Sequence, residues 1–173
     1  MARRVNQNTF ATHEWELMEL CVRLAREALA AGDAPFGAVL ATEQGEILRS
    51  DRNRVRSQDS TYHPELALAR WAASELSPDV RQQTVLYTSG EHCPMCSAAH
   101  AWARLGRIVF LHSTAQLTAW QQAGGFADSR VTQLSIRTIA PDLQVIGPVP
   151  EFTAQLKQLH RQAMGLAEAP GSG

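Results

Sequence analysis

The chain has little net charge, few cysteines and no long apolar run. Its 173 residues include 16 basic and 17 acidic side chains, which give a formal net charge of -1. This balance does not favour a dedicated nucleic-acid binder, although it allows a local basic patch. No apolar stretch approaches the length of a membrane span. Because the basic residues 1–4 lead into polar residues rather than an apolar signal segment, we expect a cytoplasmic protein.

Three cysteines are too few for a complete disulfide framework. Cys21 lies within an apolar helical pattern, which predicts a buried core thiol. Cys93 and Cys96 enclose only two residues. In a reducing compartment such a pair indicates metal or redox chemistry.

The length and a hydrophobic share of 45% predict a single globular domain. We expect flexible segments at residues 1–11 and 167–173 on either side of a domain over residues 12–166. Periodicity and turn residues predict helices at residues 12–31, 64–76, 94–105, 114–122 and 150–164. Strands are expected at residues 36–41, 46–49, 84–88, 107–112, 132–138 and 143–146, with a polar loop at residues 50–61. This order predicts an α/β fold, a single three-layer α/β/α domain with a mixed central sheet of about five strands.

One stretch, residues 87–96, carries most of the chemical information in the chain. Cys93 and Cys96 stand at the predicted start of a helix, and His63 precedes another helix, which together suits a zinc ion with three protein ligands. Three protein ligands leave the fourth position to water, so we expect one Zn²⁺ per chain. Glu65 follows His63 by two residues and can move a proton from that water to a substrate nitrogen and the departing amine. H-x-E followed by C-x-x-C is a signature of zinc-dependent base deaminases.

Other interpretations of the same residues remain open. His100 or His92 could supply a fourth ligand and close the zinc site, which would make the protein a non-catalytic, zinc-stabilised module. That interpretation gives Glu65 no role. Arg52, Arg54 and Arg56 alternate before His63, and they suit either a solvated charged edge or a contact to phosphate. A turn-forming role for Asn53 is as consistent with the local sequence as a contact to a heterocycle.

The zinc motif, together with further segments, resembles the cytidine-deaminase-like superfamily and within it is most similar to bacterial guanine deaminases. The further segments are Pro35-Phe36-Gly37-Ala38, Asn53, Trp102-Ala103-Arg104 and Gly125-Phe126-x-Asp128-Ser129. The resemblance implies His63, Cys93 and Cys96 as zinc ligands, with Glu65 as the catalytic proton shuttle. It also implies a homodimer that acts on a small heterocycle, and substrate contacts from Asn53, Phe36, Trp102, Phe126 and Asp128.

Three features depart from that family pattern. Pro64 lacks the backbone N–H that relatives direct at the substrate. His92 replaces a proline, so we expect it to add a polar wall to the pocket. The C-terminal residues lack the aromatic segment that closes guanine deaminase pockets. Guanine is therefore the best single expectation, with another aminopurine, cytosine or an aminotriazine open, and a tRNA adenosine deaminase as the nearest enzyme alternative.

Overall fold

The computed structural model describes residues 10–126 and 129–166. The elements are, in chain order, α1 (Thr12–Ala30), β1 (Gly37–Thr42), β2 (Ile47–Arg52), α2 (Pro64–Glu75), α3 (Pro78–Gln82), β3 (Thr84–Gly90), α4 (Pro94–Trp102), β4 (Arg107–His112), α5 (Thr114–Ala123), α6 (Ile136–Ile139), β5 (Val145–Ile146) and α7 (Thr153–Ala163). A 3₁₀ turn over Pro150–Phe152 leads into α7. None of these helices is long and apolar enough to cross a bilayer.

The five strands form one mixed sheet in the order β2-β1-β3-β4-β5. β1 pairs antiparallel with β2 and β3, whereas β3, β4 and β5 run parallel. The parallel pairing brings the carboxyl ends of β3 and β4 together, with Gly90 opposite His112. The loop after β3 and the start of α5 therefore lie at the same edge of the sheet.

Successive side chains of the central strands face two separate cores, as the period of two requires. One core joins the sheet to α1 and α7 and includes Val39, Ala41, Val85, Tyr87, Val109 and Leu111. The other joins it to α2 and to the end of α4 and includes Ala38, Leu40, Leu86 and Ile108. The expected three-layer α/β/α architecture with a five-stranded mixed sheet is therefore confirmed. Cys21 is fully buried in the first core, as expected.

Several predicted boundaries were wrong, each for a local reason. β2 continues to Arg52, because residues predicted as loop pair with β1. α4 ends at Trp102 because Arg104 adopts a left-handed conformation with φ of 55°. The strand predicted at residues 132–138 is absent from the described residues there. A short helix forms instead, because Ser135 caps it by accepting a hydrogen bond from the Arg137 N–H and Ile136 is buried.

A buried carboxylate ties α1 to the sheet. Glu14 is 7% exposed, and its Oε1 accepts hydrogen bonds from the Tyr87 hydroxyl at 3.1 Å and from Arg107 at 2.9 Å. Its Oε2 accepts from the Ala11 N–H at 2.9 Å. Burial alone would raise the pKa of this carboxyl, but these hydrogen bonds outweigh burial and hold the pKa below its usual value.

We expect Glu14→Gln to lower the free energy of unfolding at pH 7 by about 1–3 kcal/mol, because charged hydrogen bonds are lost in a buried setting. Since the folded-state pKa of Glu14 is lowered, its contribution is present above the unfolded pKa of 4.5 and is lost as pH falls through the folded value. Urea unfolding at pH 7 and pH 3 should therefore show a smaller difference between wild type and variant in acid. Glu16→Gln, on the exposed side of α1, is the control. If Glu14→Gln lowered the free energy of unfolding no more than this control does, the role of Glu14 would be contradicted.

Candidate metal centre and cavity

The three predicted zinc ligands are brought together by two helix N-termini. His63 is the N-cap residue of α2 and Cys93 is the N-cap residue of α4, with Cys96 in the first turn of α4. Each helix begins with a proline, Pro64 or Pro94, at a position where the missing N–H costs no helical hydrogen bond. The positive ends of both helix dipoles therefore point at the same place, which favours thiolate there.

The spacing of the ligand atoms fits a tetrahedral zinc ion. His63 Nδ1 lies 3.6 Å from Cys93 Sγ and 3.6 Å from Cys96 Sγ. Bonds of about 2.0 Å to nitrogen and about 2.3 Å to sulfur at the tetrahedral angle require about 3.5 Å between those atoms. Among the described residues this is the one group of three histidine, cysteine or acidic side chains close enough to hold a metal. The donor set of one imidazole and two thiols also suits zinc.

The hydrogen bonds within this group shift the pKa values of the two cysteine thiols in opposite directions. Hydrogen bonds from Cys96 and then from His63 lower the pKa of the Cys93 thiol to about 4. The same interaction with Cys93, together with burial, raises the pKa of Cys96. The hydrogen bond to Cys93 raises the pKa of His63.

Glu65 lies directly beside this group but outside it. Its side chain is 5% exposed, and its Oε2 is 3.9 Å from Cys96 Sγ. The Thr88 hydroxyl donates to Oε1 at 2.6 Å, which fixes the orientation of the carboxylate. Burial raises the pKa of Glu65, against the opposing effect of the Thr88 hydrogen bond. A carboxyl group in such a setting holds a proton more readily than one in water.

A cavity of about 140 Å³ opens in front of His63, Glu65 and Cys93. The rest of its wall is contributed by Phe36, Glu91, His112, Thr114, Leu117 and Gln133. Phe36, one of the expected substrate contacts, is therefore in place. The volume is well below the range of about 300–1,000 Å³ that is usual for drug-sized ligands, so the cavity suits a small molecule or one base.

Glu91 connects the metal-bearing loop to the far wall of the cavity. Its Oε2 accepts from the Thr114 N–H at 2.8 Å, and its Oε1 accepts from the Ser135 hydroxyl at 2.8 Å and the Ile136 N–H at 2.9 Å. One carboxylate thus holds the first residues of both α5 and α6. The sequence offered a signal, since Glu91 stands within the zinc motif, but its partners are more than twenty residues away in the chain.

His112 forms another part of the wall and is backed by His160 of α7. The two Nε2 atoms are 3.2 Å apart, and both side chains are buried. Burial lowers the pKa of His112 to about 4 and also lowers the pKa of His160. Because both pKa values are lowered, both rings are neutral near pH 7, and one Nε2 donates to the other. Phe36 packs against both rings, with centroid distances of 5.9 and 5.0 Å, so this side of the cavity is aromatic and uncharged.

The structure contradicts the expected roles of His92. Its side chain is 1% exposed and is absent from the wall of the cavity. It packs edge-on against His100, with ring centroids 5.2 Å apart, and neither residue belongs to the metal-binding group. The reason is that the two side chains face the interior behind α4, so His92 is neither a polar wall nor a fourth ligand. The closed zinc site therefore has no support from either histidine.

Trp102 was wrongly expected to line the pocket. It stands at the last residue of α4, away from the ligand-bearing end, and its side chain is 84% exposed. Phe126 is 47% exposed and borders a different cavity of about 390 Å³, which adjoins the first at Gln133. The predicted contact Asp128 lies outside the described residues.

Asn53 is buried where β2 gives way to the loop before His63, and it does not line the cavity. Its side-chain oxygen accepts from the Val55 N–H at 3.0 Å, an Asx-turn, and its own N–H donates to the Phe36 carbonyl at 3.0 Å. The turn-forming interpretation is therefore correct for the oxygen. The side-chain amide nitrogen has no hydrogen-bond partner among the described residues.

The three alternating arginines are occupied by partners in the protein. Arg52 pairs with the buried Asp33 at 3.2 Å, and Arg54 forms an ion pair with Asp51. The Arg56 N–H also donates to Asp33, at 2.8 Å, and its guanidinium contacts a backbone carbonyl. The prediction of a charged edge is closer to the structure than a phosphate contact.

The mixed sheet between two helical layers, with a histidine and two cysteines at paired helix N-termini, defines a zinc-binding α/β domain. Residues 11–112 match the family described as the cytidine and deoxycytidylate deaminase zinc-binding region. This match covers more than half of the chain, so the protein belongs to that family. Zinc is therefore its cofactor, as expected from the sequence, and His63, Cys93 and Cys96 form a group able to hold one ion.

Relatives within the family differ in the substrates they are named for. The chain is 36% identical to the guanine deaminase of Bacillus subtilis over 113 residues, 65% of this chain and 70% of that enzyme. It is 32% identical to the tRNA-specific adenosine deaminase of Agrobacterium fabrum over 148 residues, 84% of this chain and 92% of that enzyme. The solved structure of a guanine deaminase from Nitrosomonas europaea shares the fold, with a TM-score of 0.67 at 21% identity, over 90% of this chain and 85% of that one.

Two longer proteins also contain a similar segment. The tRNA(Ile)-lysidine synthases of Deinococcus deserti and Deinococcus radiodurans are 41% and 40% identical over 106 and 88 residues. This chain spans only 19% and 15% of their lengths. The similarity concerns one segment of those proteins.

Proposed function

We propose that the protein is a zinc-dependent hydrolytic deaminase that replaces the exocyclic amine of a small planar heterocycle with oxygen and releases ammonia. The observation that carries the proposal is the buried Glu65 carboxylate, 3.9 Å from Cys96 Sγ and facing the cavity. A purely structural zinc site has no use for a buried, oriented acid beside its ligands. Membership of the deaminase family supports the same reaction class.

His63, Cys93 and Cys96 hold the zinc in this proposal, through Nδ1 and two sulfurs. Zinc with three protein ligands supplies a water that is acidic enough to serve as a nucleophile near neutral pH. Glu65 takes a proton at Oε2, because Oε1 is already held by Thr88. It would deliver that proton to a ring nitrogen, and would then carry a second proton, from the added hydroxyl group, to the amine that leaves as ammonia. The neutral aromatic wall of Phe36 and His112 excludes water from the face of the heterocycle.

The best single substrate is guanine, supported by the Bacillus subtilis relative and by the size of the cavity. Phe36 packs against the ring, the free amide nitrogen of Asn53 donates to a carbonyl or ring nitrogen, and Asp128 accepts from a 2-amino group. Phe126 borders the adjoining cavity, which begins at Gln133. It contacts the part of the substrate that enters this adjoining cavity. A tRNA adenosine deaminase is the second candidate, supported by the Agrobacterium relative, which matches over more of the chain.

Two further properties belong to this proposal. The protein forms a homodimer, for which the 84% exposed indole of Trp102 at the end of α4 offers an apolar contact. It acts in the cytoplasm, where a reducing environment keeps Cys93 and Cys96 as free thiols ready to bind metal. Light scattering of wild type and Trp102→Ser would test the first point, since the proposal requires that the variant dissociate more readily.

The reaction is tested by supplying zinc-loaded protein with guanine, adenine, cytosine, an aminotriazine and an adenosine-containing tRNA stem-loop, and measuring ammonia. Release of ammonia from one or more of these compounds supports the proposal. No ammonia from any of them would contradict it, provided that the same samples contain one zinc per chain by elemental analysis. Preference for the stem-loop would identify the second candidate as the correct one.

We expect Glu91→Ala to lower kcat/KM by about tenfold or more, because the far wall of the cavity loses the carboxylate that positions it. The change should appear mainly in KM, with zinc content unchanged. Ser135→Ala removes one of the three hydrogen bonds to Glu91 and should have a smaller effect in the same direction. Zinc content that falls in proportion to activity would show instead that Glu91 supports the metal loop alone.

A further inference from the structure

A second cavity, of about 240 Å³, shares His63 with the first. It is lined by Arg49, Asp59, Thr61, Tyr62, His63, Leu66, Ala67 and Arg70. Among the described residues, His63 is the one that borders both cavities. A ligand group in the second cavity would therefore lie one side chain away from the proposed reaction site.

Two arginines in this cavity, unlike their neighbours, form no hydrogen-bonded ion pair within the described residues. Within residues 10–126 and 129–166, neither Arg49 nor Arg70 makes a side-chain hydrogen bond or an ion pair, whereas Arg52 and Arg54 each pair with a carboxylate. The Arg49 guanidinium lies 5.4 Å above the Trp71 ring, which orients it while leaving its N–H groups free. Both arginines are exposed to solvent and open to a ligand.

The acidic residue in the cavity, Asp59, interacts electrostatically with Arg70 but does not cancel the charge of both arginines. Asp59 uses its Oδ1 to accept from the Thr61 N–H at 2.8 Å and the Thr61 hydroxyl at 2.6 Å. Two guanidinium groups and one carboxylate leave the cavity with a formal charge of +1, next to a helix that begins at Pro64. Guanidinium groups with free N–H donors match the oxygen atoms of a phosphate group in geometry as well as charge.

We propose that this second cavity binds a phosphate group of the substrate, with Arg49 and Arg70 as its ligands. The inference rests on the proposed function in one respect, namely that the heterocycle reacts in the first cavity. It then favours, over the free base guanine, a phosphate-bearing substrate, which is either a nucleotide or a nucleic acid from which one base enters the first cavity. A free nucleobase would use only the first cavity.

The first test measures binding of inorganic phosphate to the zinc-loaded protein, without any turnover. Phosphate is titrated while the indole N–H signal of Trp71, assigned with Trp71→Phe, is followed by NMR. We expect this signal to shift on saturation, and the double variant Arg49→Gln/Arg70→Gln to bind about tenfold more weakly or worse. Asp59→Asn should bind phosphate more tightly, because it removes a negative charge and keeps the acceptor oxygen.

The matched control is Arg23→Gln/Arg137→Gln, which removes the same charge at two exposed positions outside this cavity. Equal losses of affinity in the two double variants would overturn the proposal, since they would indicate general electrostatics. Binding that survives in Arg49→Gln/Arg70→Gln, or that leaves the Trp71 signal unchanged, would also overturn it and place the phosphate elsewhere, for example on the metal.

The second test identifies the source of the phosphate. Affinities of a nucleoside 5′-monophosphate, the matching nucleoside and a short RNA stem-loop are compared between wild type and Arg49→Gln/Arg70→Gln. We expect the double variant to weaken binding of one or both phosphate-bearing ligands about tenfold and binding of the nucleoside by less than about twofold. Equal weakening of all three would contradict the proposal. These results stand whether or not ammonia is released, so a failure of the proposed reaction would be seen separately.

Discussion

Replacing Glu65 with glutamine should lower the rate of ammonia release by about a thousandfold or more while the protein keeps its zinc. Proton transfer by a positioned side chain contributes about 10²–10⁴ in rate, and in this proposal Glu65 acts on both the nucleophile and the leaving group. Glutamine keeps the volume and one oxygen that can accept from Thr88, so the packing around residue 65 should persist. The loss should therefore appear in kcat.

The measurement is ammonia release together with elemental analysis of the same samples. Glu16→Gln, on the exposed side of α1, controls for the loss of one carboxylate and should retain full activity. If Glu65→Gln turned over substrate within about tenfold of wild type, Glu65 would have no part in proton transfer.

Replacing Cys96 with alanine should weaken zinc binding by more than about a hundredfold. Loss of outer hydrogen-bond partners alone typically costs about 10–100-fold in metal affinity, and Cys96 is proposed to bind the metal directly. Activity should fall with metal content, and the melting temperature of the purified variant should no longer rise when zinc is added. A competition assay with a chromogenic chelator measures the affinity.

The third cysteine provides the matched control. Cys21 is fully buried in the core shared with α1 and α7, and burial raises its pKa, so it is an unreactive thiol. Cys21→Ala should lower stability through lost packing while binding zinc as tightly as wild type. Equal loss of zinc from both variants would mean that unfolding, and not the removal of a ligand, causes the effect at Cys96.

The local sequence was sufficient for the central strands of the sheet and for the metal-binding group. The strand at residues 107–112 is an apolar run before a turn, and it forms with the predicted bounds. His63 and Cys93 could be placed because each precedes a proline that begins a helix, a pattern contained within a few residues. Such features depend on neighbours in the chain, so their signal is complete in the sequence.

The walls of the cavities could not be predicted in the same way, because their contacts cross the chain. Glu91 holds residues of two later helices, and His112 is backed by His160 from α7. For Trp102 the sequence predicted a pocket contact that the structure does not show. The side chain faces solvent because it stands at the last residue of α4. Likewise, only the structure shows which arginines form ion pairs and that Arg49 forms none with the described residues.

X-ray absorption spectroscopy of the zinc-loaded protein tests the open zinc site beside Glu65 most directly. We expect one zinc per chain, two sulfur atoms at about 2.3 Å and two lighter atoms at about 2.0–2.1 Å. One of the lighter atoms is His63 Nδ1, and the other should be replaced when a small anion such as azide is added. A spectrum with two protein nitrogens that no added ligand displaces would contradict an open site beside Glu65.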